Sequence, residues 1–220
     1  MELEKFEQNI GYKFKDKELL KNALTHTSYA NENGVKSNEK LEFVGDAILE
    51  FVISKYLYNM YNSLKEGEMT KVRATVVCEE SLYKIALEHN FSDFLYLGKS
   101  ELYNKGAKSP AILADSVEAV IAAMFFDSNI EQVEKFILNN LEQSIEQASH
   151  NVGIKDYKTV LQEKLQINGE VLIEESGPDH DKSFTAQVSC NNKVLAKGKG
   201  KSKKHAEMEA AKNAMEINNI

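Results

Sequence analysis

Up to about residue 148, apolar side chains recur three and four positions apart, the spacing of a buried helical face. "DKELLKNALTHTSYANE" opens on Asp16, an N-capping residue, and continues as a predicted helix. "NEKLEFVGDAILEFVI", residues 38 to 53, follows, and its apolar residues occupy most of the helix circumference, which predicts a buried helix. "EGEMTKVRATVVCEESLYKIALEH" begins with a turn at Gly67 and reads as helix throughout. "SPAILADSVEAVIAAMFFD" carries Pro110 at its start, and "IEQVEKFILNNLEQSIEQA" places Ile130, Val133, Ile137, Leu141 and Ile145 on one side. No run before residue 150 reads as a strand, so residues 1–148 are expected to form an all-α domain.

"SHNVGI", residues 149–154, reads as a linker, after which the period changes. "DYKTVLQEKLQIN" predicts a helix, and "EVLIEES" and "FTAQVSC" predict strands. Asn191-Asn192 turns the chain into "KVLAKGKG", and "SKKHAEMEAAKNAMEI" closes as a helix capped by Ser202. The order α-β-β-β-α over residues 155–220 predicts a second, small domain. Leu161, Leu165, Val171, Ile173, Phe184 and Val188 are its expected core, with Ala206, Ala210 and Ala211 packing on it.

Composition adds exclusions. With 220 residues, 42% of them hydrophobic, the chain can bury two cores. Its longest apolar run, "AVIAAMFF" at 119–126, is far short of a membrane span, and "MELEKFEQ" has no signal-peptide character. Cys78 and Cys190 lie far apart without metal-ligand spacing, as reduced thiols in a cytoplasmic protein would. The net charge of −7 hides an asymmetry: residues from Ile154 onward carry 11 lysines against 10 acids, leaving the first 153 residues at −8. Seven lysines and no acid fall between Lys182 and Lys204. Two domains with two tasks are implied.

The chemistry is in the acids. Glu39, Glu42, Asp46 and Glu50 fall within a sector of roughly 80° on a helix whose remaining surface is apolar. Such a stripe also fits an ordinary solvated face. A second pair, Asp115 and Glu118, sits three residues apart on an equally apolar helix with no basic residue nearby. Carboxylates withdrawn from water protonate, pair or bind a metal. All-oxygen ligands without His or Cys suit Mg2+ or Mn2+ rather than zinc.

"NEKLEFVGDAILE" resembles the signature of the ribonuclease III family. "LTHTSY" at 24–29, "EGEMTKVRA" at 66–74 and "LADSVEA" at 113–119 match the same family in the same order. The resemblance implies a homodimeric, Mg2+-dependent endonuclease, with Mn2+ able to substitute. Such an enzyme hydrolyses both strands of double-stranded RNA, leaving 5′-phosphate and 3′-hydroxyl ends with short 3′ overhangs. Ribosomal RNA precursors and other structured transcripts are its expected substrates. No organic cofactor and no membrane partner are expected. By position, Glu42, Asp46, Asp115 and Glu118 match the metal-binding catalytic carboxylates. Glu39 and Glu66 match further acidic cleft positions, in RNA contact or at a second metal, whereas Glu50 does not belong to the set. Phe43 and Val44 match the subunit interface, although a core role would look the same in sequence. His26 fits either a cleft residue or, preferably, a packed and hydrogen-bonded histidine. Lys71 and Arg73 fit phosphate contact or a solvated face equally.

Residues 156–218 resemble a double-stranded RNA-binding domain. Thr159, Gln162, Glu163 and Gln166 would meet one minor groove of A-form RNA, and His180 in "GPDH" the next. Lys201, Lys203 and Lys204, near the N-terminus of the closing helix, would face the phosphates between. A non-catalytic RNA-binding protein is the competing reading, and retention of all four metal-position carboxylates favours the enzyme.

Overall fold

The computed structural model describes residues 3–152, 161, 170–176, 183–190, 193–200 and 202–218. The chain divides into two compact units, Met1–Gly153 and Ile154–Ile220.

Helices build the described part of the first unit: α1 (Leu3–Ile10), α2 (Lys17–Ala23), α3 (Thr27–Asn33), α4 (Glu39–Met60), α5 (Glu66–Val76), α6 (Glu79–Glu88), α7 (Lys99–Tyr103), α8 (Pro110–Asp127) and α9 (Ile130–Val152). The most apolar of them, α8, runs through the middle and is covered by α2, α4, α6 and α9. Pro110 takes its first position, where no intrahelical N–H is needed. Leu113, Val117, Val120, Ile121 and Met124 are buried on its successive faces, and the buried Ser116 hydroxyl donates to Leu113 O at 2.7 Å. On α9, Val133, Ile137, Leu141 and Ile145 are buried as their spacing predicts, with Ile130 half-buried.

Four expectations change. The stretch 16–32 is two helices. Leu24 to His26 leaves helical geometry to pair with Tyr96, with His26 N donating to Tyr96 O at 3.1 Å and Tyr96 N to Leu24 O at 2.8 Å. The stretch 66–88 is also two helices, separated at Val77–Cys78. Glu79 and Glu80 begin the second one, where acids complement the helix dipole. The expected linker is partly helical: α9 reaches Val152 because Ala148 and Ser149 still find buried positions. Finally, α4 is not buried all round. Leu41, Gly45, Leu49, Val52, Ile53 and Leu57 face the core, whereas Phe43, at 80% exposure, Phe51 and Tyr58 lie open along a second face of the single chain.

In the second unit, β1 (Glu170–Ser176), β2 (Ser183–Cys190) and β3 (Lys193–Gly200) form an antiparallel meander in sequence order. Irregular pairing at Val188/Ser189 interrupts the β2–β3 ladder. The helix α10 (Lys203–Asn218) starts with Ser202 Oγ accepting from His205 N at 3.2 Å, as its capping role predicts. Ala206, Ala210, Ala211 and Ala214 are buried against the sheet with Leu161, Ala186, Val188 and Ala196. Phe184 is half-buried against that cluster. The expected first helix is described only at Leu161. The side chains of Leu165, Val171 and Ile173, and the Asn191-Asn192 turn, lie outside the described residues.

Candidate metal centre and nucleic-acid interface

The acidic site starts from a corner of backbone. Asn38 N donates to Thr25 O at 2.8 Å, and the Asn22 side chain donates to Ser37 O at 2.8 Å. Together these fasten the first turn of α4 to the end of α2. From there, Gly45 lets α4 and α8 meet backbone to backbone, because any Cβ at this position would overlap the Glu118 carbonyl. Glu42 on α4 is thereby brought against Asp115 and Glu118 on α8.

One oxygen from each of Glu42, Asp115 and Glu118 can lie within 4.8 Å of the others, and all three residues are half-buried. Among the described residues, none of the three has an ion-pair partner. Burial pushes the Glu118 carboxyl up to about 8, with further repulsion from Asp46, Asp115 and Glu42. Burial also raises Glu42, helped by the charges of Asp115, Glu39 and Asp46. Asp115 is raised by burial and by Glu79, and drawn back down by His26. These shifts describe negative charge gathered in a partly dry place without compensation. A hard divalent cation fits such a donor set, since it supplies the missing charge and takes oxygen ligands.

The other acids are placed differently. Asp46 is exposed one turn beyond Glu42 and outside the tight group, although its charge acts on both Glu42 and Glu118. Glu39 is exposed and accepts from Ser37 Oγ at 2.7 Å. Glu66, exposed at the start of α5, accepts from Thr70 Oγ1 at 3.3 Å and lines a groove with Phe51, Tyr58 and Arg73. Arg73 Nη1 donates to Ser54 Oγ at 2.9 Å, and Lys71 is exposed. Glu79 is an acid that sequence reasoning missed. Its approach to Asp115 depends on the break between α5 and α6, which periodicity through "VVCEESL" does not reveal.

Of the expected RNA contacts, Lys203 is exposed at the first position of α10 and Lys204 follows it in the same helix. Thr159, Gln162, Glu163, Gln166, His180 and Lys201 lie outside the described residues. Among the described residues, no helix is long and apolar enough to cross a membrane. Both cysteines are free thiols.

Comparison with known proteins gives a family for each unit. Residues 16–145 match the family described as Ribonuclease-III-like, and residues 157–217 match the double-stranded RNA binding motif. The chain is 46% identical over 220 residues to Ribonuclease 3 of Listeria monocytogenes serotype 4b, covering 96% of each protein. It is 47% identical over 221 residues to Ribonuclease 3 of Streptococcus thermophilus, covering 97% of this chain and 96% of that one. Among solved structures, the nuclease domain of ribonuclease III from Campylobacter jejuni superposes with a TM-score of 0.61 at 39% identity. It accounts for 64% of this chain and 97% of its own. With both of its domains matched in order, this chain belongs to the ribonuclease III family.

Proposed function

We propose that this endoribonuclease, which acts on double-stranded RNA, hydrolyses both strands with Mg2+ held by Glu42, Asp115 and Glu118, and with Asp46 completing the charge around it. Mn2+ is expected to substitute. The observation that carries the reading is the convergence of three half-buried carboxylates within 4.8 Å with no basic partner among the described residues. A divalent cation bound there supplies a coordinated water of lowered pKa and Lewis-acid withdrawal of charge from the phosphate. The chain's own residues do the rest. Glu42 comes from α4 and the other two from α8, so the site has rigid walls on both sides. Glu118, whose carboxyl burial pushes up to about 8, would have to be deprotonated to serve as a ligand. Asp46, one turn along α4 from Glu42 and exposed, stands at the rim of the site. Water is proposed as the nucleophile, and Cys78 Sγ is engaged with Thr75 O and Ser81 Oγ. The products expected are 5′-phosphate and 3′-hydroxyl ends with short 3′ overhangs. Precursor ribosomal RNA and other structured transcripts in the cytoplasm are the proposed substrates.

Two further features support a duplex substrate and a paired enzyme. Thr159, Gln162, Glu163, Gln166 and His180 are proposed to contact successive minor grooves, with Lys201, Lys203 and Lys204 on the phosphates between. The exposed apolar face of α4, from Phe43 to Tyr58, is proposed to be the homodimer interface. The Campylobacter jejuni nuclease domain, similar to this one, has a region involved in dimer formation. Glu39 and Glu66 are proposed to lie in the assembled cleft. The test is cleavage of a labelled RNA duplex and of its single strand, with Mg2+ or EDTA, by wild type and Glu118→Gln. Metal-dependent cutting of the duplex by wild type, with binding but no cutting by the variant, is expected. Undiminished cutting by Glu118→Gln would remove this residue from the mechanism, and cutting in EDTA would remove the metal.

A further inference from the structure

We propose that His89 is a proton-operated clasp: its imidazolium form ties α1, α6 and α9 together, and loss of the second proton releases the tie to α9. The ring lies between two acceptors. Nδ1 is 2.7 Å from Asn9 O on α1, and Nε2 is 2.8 Å from Asn140 Oδ1 on α9. A backbone carbonyl can only accept, so the first contact needs a proton on Nδ1. The second needs one on Nε2, because the Asn140 amide is already oriented. Its Nδ2 donates to Phe136 O at 2.8 Å, which leaves Oδ1 facing the ring. Turning that amide over would set Oδ1 against Phe136 O with no proton between them. A neutral imidazole has one N–H and completes one of the two bonds, whereas the imidazolium completes both.

The surroundings favour the cation from three directions. His89 is the C-cap of α6, its N donating to Ile85 O at 3.1 Å, so it stands at the negative end of that helix. Asn9 lies in the last turn of α1, whose carbonyls lack partners within the helix, so the ring serves a second C-terminus as well. The buried Phe136 ring is 5.7 Å away, centroid to centroid, within reach of a cation–π contact. Of the titratable groups, Tyr12 and Lys135 line the cavity beside the ring, and no acid does. Lys135 is exposed and opposes the charge, and Tyr12 donates its hydroxyl proton to Asp127 at 2.7 Å. Glu7 on α1 is taken up by Lys17 and Phe14 N, and Glu88 and Asp93 are exposed. Among the described residues no carboxylate pairs with the ring, so carbonyl oxygens and helix ends hold the second proton. Asn9 Nδ2 returns a bond to His89 O at 3.0 Å, which makes the tie between α1 and α6 double. The hydrogen bond to α9 depends on Nε2 and therefore on the second proton. Its stabilisation is present while the ring is charged and is lost as pH rises and the ring discharges. The proton thus sets how firmly α9 is held to α6, the helix that packs on α8.

Long-range 1H–15N spectra of the full chain, assigned and followed with pH, test this directly. In the wild type both His89 nitrogens should show imidazolium shifts at a pH where His150, whose side chain is 80% exposed, has already lost its second proton. Further alkali should deprotonate Nε2 and leave the proton on Nδ1. Asn140→Leu removes the acceptor at Nε2 and should let the second proton leave at a pH about one unit lower than in the wild type. A residue that merely packs would not move that titration. Urea unfolding supplies the second readout. The folding constant lost by Asn140→Leu should be about tenfold larger at pH 6 than at pH 8.5, the worth of one charge-assisted hydrogen bond. Glu118 titrates alike in both proteins, so that difference belongs to His89. A His89 ring that discharges no later than His150, or the same titration in wild type and Asn140→Leu, would overturn the proposal. Should Asn140→Leu fail to fold, the wild-type spectrum decides it.

Discussion

Replacing Gly45 by alanine probes the close approach on which the acidic site depends. A Cβ on residue 45 would fall well inside 3.0 Å of the Glu118 carbonyl oxygen, and would also press on that residue's carbonyl carbon and Cα. The obstacle is helix backbone, so no side chain can swing aside. The helices α4 and α8 must part locally by about 1 Å, at an overpacking cost near the upper end of roughly 1–3 kcal/mol. Alanine returns about 1 kcal/mol through its better helix propensity. The net loss is about 2 kcal/mol, a fall in melting temperature of roughly 4–8 °C for a domain of this size. The variant should therefore fold at 25 °C.

Its activity should suffer more than its stability. Glu42 precedes Gly45 by three residues, Asp46 follows it and Glu118 is the residue being pushed, so the parting of the helices becomes a parting of the proposed ligands. A misplacement of 1 Å in a reacting site can cost about 100-fold in rate. Urea unfolding followed by circular dichroism would give the stability term. Single-turnover cleavage of a labelled duplex, over a range of Mg2+, would give the other. Wild-type cleavage at low Mg2+ in a Gly45→Ala protein of wild-type stability would refute the claim that this close approach sets the site.

Four other outcomes are expected. The folded Glu118 carboxyl holds a proton between its ordinary value of 4.5 and about 8, where the unfolded chain has released it. The stability of metal-free protein should therefore fall as pH rises through that window, and Mg2+ should flatten the slope; urea midpoints in EDTA at pH 5 and 8.5 that coincide would contradict this. Glu118→Gln removes one of the crowded charges, so the metal-free protein should melt higher than wild type at pH 8.5 while losing cleavage. Phe43→Asp should dissociate the proposed dimer in sedimentation yet leave each protomer folded, because the side chain is 80% exposed in the single chain. Binding of RNA duplex should weaken steadily with salt, and replacing Lys203 and Lys204 by alanine should lower the log–log slope by about 1 for each phosphate that no longer meets a lysine.

Much of this was legible in the residue pattern because the relevant rules are local. The helix spacing of "IEQVEKFILNNLEQSI", the caps at Asp16 and Ser202 and the proline at the start of α8 all act within a turn or two. The acids could be sorted onto helix faces for the same reason. What was not legible was set at long range. The break at Leu24–His26 exists because Tyr96, some seventy residues on, offers backbone partners. The break before Glu79 removes that residue from the face where periodicity would put it. The exposed face of α4 looks like core in sequence, since a helix covered by its own chain and one covered by a second copy need the same apolar residues. Glu42, Asp46, Asp115 and Glu118 could be chosen by motif, but motif spacing does not reveal that Asp46 stands nearer to water than the other three.

The electrostatics and the packing of the first unit pull in opposite directions, and function follows from which one wins. Left to charge alone, α4 and α8 would move apart, since their facing surfaces carry Glu42, Asp46, Asp115 and Glu118. The apolar burial of Leu113, Val117, Val120, Ile121 and Met124 on one helix and of Leu49, Val52 and Ile53 on the other holds them together. Each such side chain contributes about 1.5–3 kcal/mol when fully buried, several times what repulsion between half-exposed carboxylates can return. Burial of Glu118, with that repulsion added to it, therefore shows in the folded protein as a raised proton affinity rather than as an open structure. A proton relieves it partially, one charge at a time. A divalent cation at the proposed site would relieve more of it in a single step and would bring reactive water with it, so the conflict that weakens the metal-free site is also the source of the metal affinity proposed for it.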